Sequence, residues 1–135
     1  MKKLVRVGWL GAVGLAVVIV LAACAQGSAA PLELTQKDSG STQALAAGQE
    51  LRITLDANPT TGYMWAVDGA VPPQLEQAGE PEYTAESNAI GAGGTEVWTF
   101  TGKTSGKGTL RLKYWRSFEP TATPAGTFEV TADVK

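Results

Sequence analysis

The sequence predicts an all-β domain, a two-sheet antiparallel β-sandwich, and three observations carry that reading. Apolar and polar residues alternate with a period of two in several short runs, glycine and proline punctuate the intervals, and no segment from residue 25 onward shows a helical stripe. Leu32 to Thr35 reads as an edge strand. Gly48 punctuates the approach to a strong strand at Glu50 to Asp56, where Leu51, Ile53 and Leu55 alternate with Arg52, Thr54 and Asp56. A neighbouring strand follows, in which Tyr63, Trp65 and Val67 alternate with Met64, Ala66 and Asp68. Trp65 would be the large buried aromatic of a central strand. Pro72, Pro73 and Pro81 deny helix to the middle of the chain. Past a glycine-rich bend, Val97 and Thr99 alternate with Glu96, Trp98 and Phe100, a pattern that does not say which face is buried. Gly102 to Gly108 reads as a hairpin connection into Thr109 to Trp115, where Leu110, Leu112 and Tyr114 oppose Arg111 and Lys113. A loop from Arg116 to Gly126 leads to the last strand, Thr127 to Val134, with Phe128, Val130, Ala132 and Val134 on one face. Seven or so short strands of this kind make an immunoglobulin-like sandwich.

The start of the 135-residue chain reads as an export signal, Lys2, Lys3 and Arg6 ahead of an apolar run from Val7 to Ala23. The run closes on Leu21-Ala22-Ala23-Cys24, which resembles the lipoprotein signal of bacteria. That resemblance implies cleavage before Cys24 and more than one acyl chain on that cysteine, and at about 0.8 kcal/mol per buried methylene a second chain makes anchoring stable. The run also approaches the length of a membrane span, so an uncleaved anchor is the other reading. Either one places residues 25–135 outside the cytoplasm. The expected organisation is thus a signal at 1–23, a small, polar, flexible tether at 24–31 and one domain at 32–135, bound as a lipoprotein to the cell envelope.

Composition removes several function classes. The signal takes three of eleven basic residues and none of the thirteen acidic ones, leaving eight against thirteen and a net charge of minus five, so nucleic acid is not the expected partner. There is no histidine, and Cys24 is the only cysteine, which leaves no Ser-His-Asp or Cys-His apparatus, no internal disulfide, and no nitrogen or thiolate set for a metal. Gly102-Lys103-Thr104 hints at a phosphate loop, but Val97 stands where the earlier glycine is required. Glu80 and Glu82 flank Pro81 in a polar stretch and read as solvated charge, not an acid and base pair. No enzyme, metal or cofactor is expected, and a monomer is the default.

Asn58-Pro59-Thr60-Thr61-Gly62-Tyr63 is the most informative stretch. Pro59 fixes its own φ and drives Asn58 into extended conformation, Gly62 permits a backbone angle or a close approach that a side chain would block, and two β-branched threonines sit between. A partner would meet a loop already shaped and would lose little binding energy in ordering it. Two further loops accompany it: Ile90 with Gly91-Ala92-Gly93-Gly94, and Tyr114-Trp115-Arg116-Ser117-Phe118-Glu119.

With Trp65, these three loops resemble the chagasin family of cysteine peptidase inhibitors over roughly residues 32–134. The family carries an Asn-Pro-Thr-Thr-Gly-Tyr loop, a glycine-rich loop and an arginine-proline-tryptophan loop. The first two match. In the third, Arg116 is kept while Ser117 and Phe118 replace proline and tryptophan, which leaves an aromatic face without the indole donor and a less rigid loop. The resemblance implies reversible, non-covalent inhibition of a papain-like peptidase by occlusion of its cleft. Asn58, Pro59, Thr60, Thr61, Gly62 and Tyr63 would form the wedge over the catalytic cysteine and histidine. Ile90, Gly91, Ala92, Gly93 and Gly94 would lie along one wall, and Arg116 and Phe118 along the other. Trp65 and Trp98 are expected in packing, and Trp115 stays open. The rival expectation is a lipid-anchored adhesion or envelope-assembly module gripping a non-peptidase partner with the same loops, ahead of a hydrolase.

Overall fold

The computed structural model describes residues 29–135. The expected signal, Cys24 and most of the tether lie outside the described residues. Nine strands are present: β1 Leu32–Thr35, β2 Ser41–Leu45, β3 Glu50–Ala57, β4 Met64–Val67, β5 Leu75–Gln77, β6 Glu82–Ala85, β7 Gly94–Gly102, β8 Gly106–Trp115 and β9 Gly126–Val134. Among the described residues the only helical turns are two short 3-10 segments, Gln36–Asp38 and Pro59–Thr61.

The strands form two sheets. One runs β1-β3-β7, with β5 and then β6 pairing in turn along the far edge of β7; the other runs β2-β9-β8-β4. Alternation puts one side chain in two inward, and the inward sets meet as a single core. From the first sheet come Leu34, Leu51, Ile53, Leu55, Trp98 and Phe100, and from the second Leu45, Trp65, Leu110, Leu112, Phe128, Val130, Ala132 and Val134, each at most 5% exposed. Burial of a side chain of Leu, Ile, Val or Phe size stabilises by roughly 1.5–3 kcal/mol, and with no disulfide these layers must hold the fold.

Four features differ from the expectations. The sandwich is antiparallel in its interior but parallel at two edges, where β1 runs alongside β3 and β2 alongside β9. The strands on either side of the first loop are not neighbours: β3 belongs to one sheet and β4 to the other, so the loop passes between layers. Gly102 to Gly108 likewise does not close a hairpin, because β7 and β8 lie in different sheets. Trp65 is buried as expected, yet β4 is an edge strand, not a central one. The strands β2, β5 and β6 had no clear signal. On β7 the burial question resolves in favour of Trp98 and Phe100.

The sandwich has two dissimilar poles. The β3–β4, β6–β7 and β8–β9 connections gather at one. At the other, the Ala30 carbonyl accepts a hydrogen bond from Gln49 Nε2 at 2.7 Å, and the backbone of Lys135 is bonded to Leu45 and Ala47. The first and last described residues therefore both lie at the pole opposite the three loops. The eight residues of β3 separate these poles by about 26 Å at the usual rise per residue.

Candidate functional site

The first loop is shaped by Asn58, which commits every polar atom it has. Its backbone is extended at φ −141° and ψ 90°, as a residue before proline should be, and it caps the Pro59–Thr61 turn. Its Oδ1 accepts from the Thr60 amide at 3.2 Å and the Thr60 hydroxyl at 2.6 Å. Its carbonyl accepts from the Thr61 hydroxyl at 2.6 Å and the Thr61 amide at 3.2 Å. Both threonine hydroxyls are thereby turned back onto the loop, while the two residues remain exposed. Gly62 ends the turn in the left-handed region at φ 81°, and a Cβ there would stand 3.1 Å from Phe118 Cε1. The freedom of angle and the closeness of approach expected at this glycine are both used.

This loop is tied to each of its neighbours. Asn58 Nδ2 donates to the Gly91 carbonyl at 3.1 Å, which fastens the second loop. Arg116 Nε donates to the Thr61 carbonyl at 3.2 Å, and the Arg116 guanidinium lies 4.3 Å from the Tyr63 ring centre, which fastens the third. The three segments therefore form one continuous tip. Ile90 is fully exposed and Phe118 is 68% exposed, one on each flank of the threonines.

The second loop closes the β6–β7 hairpin, where the Glu86 amide donates to the Gly93 carbonyl at 3.0 Å. Gly91 and Ala92 face outward or nearly so. Gly94 is different: it is buried as the first residue of β7, and a Cβ there would run into the Thr84 carbonyl of β6. Its missing side chain answers a neighbour inside the protein. The third loop turns tightly, with the Glu119 amide donating to the Arg116 carbonyl at 3.0 Å. That turn supplies part of the shape proline would have supplied at Ser117.

Tyr114, which the sequence reading placed at the head of the third loop without a site role, supports the first loop. Its hydroxyl accepts from the Asn58 amide at 2.8 Å, and its ring packs between Tyr63 at 5.3 Å and Trp65 at 5.1 Å. The indole of Trp65 in turn donates to the Asp56 carbonyl at 2.9 Å, just before the loop. An aromatic ladder thus rises from the core into the first loop. Its only signal in the sequence was a tyrosine continuing the inward face of Leu110 and Leu112 where an aliphatic residue would have served. Trp115 points to the opposite face of β8 and packs under Lys113, whose Nζ sits 4.2 Å from the ring centre.

Below the second loop, Glu96 shares the inward face of β7 with Trp98 and is paired across to Leu55 and Tyr83. Burial pushes its carboxyl above the ordinary carboxylate range. The nearby Trp98 side chain opposes the shift, but the indole N–H does not reach hydrogen-bond geometry, so desolvation prevails. An open cleft of about 310 Å³ lies beside the junction of the first and second loops, its lining including Asp56, Asn58, Glu86, Gly93 and Tyr114. Among the described residues no acidic, histidine or cysteine cluster is gathered as metal ligands.

A family model described as chagasin family peptidase inhibitor I42 matches residues 44–132. Chagasin of Trypanosoma cruzi is 34% identical over 91 residues, covering 62% of this chain and 80% of that protein. Amoebiasin-1 of Entamoeba histolytica is 33% identical over 107 residues, covering 77% of this chain and 100% of that protein. Among solved structures, a crystal structure of a cysteine protease inhibitor from Entamoeba histolytica superposes with a TM-score of 0.69 over 78% of this chain and 96% of that one; at 22% identity this likeness speaks for the fold.

Proposed function

Since the chain belongs to the chagasin family of peptidase inhibitors, we propose that it is a reversible, non-covalent inhibitor of papain-like cysteine peptidases, acting by obstruction and catalysing nothing itself. The observation that carries this reading is the joining of three loops into one tip, through Asn58 to Gly91 on one side and Arg116 to Thr61 on the other. In this mechanism residues 58–63 enter the cleft over the catalytic pair, and residues 90–94 and 116–119 lie along its walls. The threonine hydroxyls are turned onto Asn58, so the wedge offers no nucleophile. Its 3-10 turn holds the backbone curled, unlike the extended segment that a peptidase cleaves. Little conformational freedom remains to be lost on binding, which favours slow dissociation.

The test is titration of papain with soluble residues 25–135, comparing wild type with Thr61→Arg. Stoichiometric loss of peptidase activity, relieved by the substitution, is expected. Activity untouched in papain and in a second peptidase of the same class would overturn the proposal and turn attention to an adhesion role.

The proposal extends to location. An acylated Cys24 would hold the domain to an envelope membrane as a monomer, with the loops facing away from it. The position of Ala30 at the far pole supports this orientation. Partition of the full chain into detergent, abolished by Cys24→Ser, is the expected result; an unchanged partition would sink the lipid anchor.

A further inference from the structure

Arg116 stands among the residues expected to line the peptidase cleft, yet most of its guanidinium contacts lie within the molecule. Tyr63 of the first loop lies under it at 4.3 Å, and Phe118 of its own loop approaches at 5.8 Å. Nε donates to the Thr61 carbonyl at 3.2 Å, and Nη1 lies 3.5 Å from Glu119 Oε2. Only a third of the side chain is exposed. Nε, Nη1 and the face of the guanidinium are thus taken up within the molecule, and a partner would meet mainly the Nη2 edge.

What it holds is specific. The Pro59–Thr61 turn ends at Gly62, and a helical turn leaves its last carbonyls without intrahelical donors. Arg116 supplies the donor at Thr61, from a different loop. We propose that Arg116 is a positioning residue, which fixes the shape of the first loop by capping the Thr61 carbonyl while lying flat on Tyr63. Ser117 and Phe118 fit this role. A loop without proline at 117 gains rigidity from the arginine crossing to its neighbour, and the exposed ring of Phe118 remains as the surface that this corner presents. Lysine could not substitute, because a compact ammonium cannot stack face-on over a ring and donate in its own plane as the guanidinium fork does.

The effect on binding rests on the inhibitor reading; the effect on loop shape does not. The experiment compares wild type, Arg116→Lys and Arg116→Gln in the soluble domain. Amide hydrogen exchange is followed by NMR in the free protein, and papain inhibition is measured across a range of salt concentrations. Both variants are expected to speed exchange of the Thr61 and Gly62 amides by tenfold or more while the amides of Leu55 and Phe100 keep their rates, and to weaken inhibition by similar factors with the wild-type salt dependence retained. Unchanged exchange at Thr61 and Gly62 in both variants would overturn the proposal. So would an Arg116→Lys protein that inhibits as wild type does, or a loss in Arg116→Gln confined to low salt. If wild type leaves papain active, the inhibitor reading fails, and the exchange rates still decide what Arg116 does.

Discussion

Replacing Gly62 with alanine tests whether the first loop is held in shape by its own backbone. At φ 81° an L-residue sits in the left-handed region, which costs about 1–2 kcal/mol. Alanine also narrows the unfolded ensemble, which returns roughly 0.4–1 kcal/mol, so the net backbone cost is about 1 kcal/mol. The added Cβ meets Phe118 Cε1 and Cζ at 3.1 and 3.2 Å, closer than carbon atoms normally come. Phe118 is largely exposed and can swing aside, so this clash moves the third loop more than it destabilises the fold. The expected outcome is a loss of about 1 kcal/mol by urea denaturation, a melting temperature lower by about 5 °C, and a larger proportional loss of papain inhibition. The double variant Gly62→Ala, Phe118→Ala separates the two causes. Backbone strain predicts the same stability loss from Gly62→Ala in either background, whereas a dominant clash predicts relief when the ring is removed. A Gly62→Ala protein as stable and as inhibitory as wild type would refute the reasoning altogether.

Three other substitutions probe the supports of the tip. Tyr114→Phe keeps the ring between Tyr63 and Trp65 but removes the acceptor of the Asn58 amide, and should cost about 1–2 kcal/mol of stability by urea denaturation. It should also weaken inhibition; a neutral result would show that water replaces the hydroxyl without loss. Gly94→Ala forces β6 away from β7 and should cost about 1–3 kcal/mol in thermal melts, with faster amide exchange along the β6–β7 hairpin. Glu96→Gln reports on pH. The folded-state pKa of Glu96 is raised, so its contribution to stability is fully present below the unfolded pKa and is lost as pH rises through the folded value. The glutamine variant should therefore be more stable than wild type near neutral pH, with the gain vanishing below about pH 4, where unfolded glutamate is itself protonated. Urea midpoints taken at several pH values would show it, and a gain independent of pH would contradict the assignment.

Much of the fold was legible because alternation reports burial directly. Leu51, Ile53 and Leu55, and Phe128, Val130, Ala132 and Val134, face the core as their pattern required. Alternation does not report which sheet a strand joins. That is why the connections after Asp56 and after Gly102 looked like links between neighbours when they cross between layers. The short strands β5 and β6 escaped notice because the exposed edge of β7 recruits them: all four residues of β6 are exposed and carry no pattern. At the candidate site, Pro59 and Gly62 were readable because their backbone constraints are intrinsic. Tyr114 and the inward use of Arg116 were not, since both depend on residues more than fifty positions away meeting the same loop.

The passage of the first loop from one layer to the other bears on what a single cut in the tip would do. Severing the chain at Thr60 would produce two pieces, one ending with β1, β2 and β3 and the other carrying β4 to β9. Neither piece would own a whole sheet, and the two would remain joined by the eight-residue ladder of β3 with β7 and the five-residue ladder of β2 with β9. The Asn58 amide would still reach Tyr114 on the other piece. A protease that nicked the tip would then hold a cut but undissociated molecule.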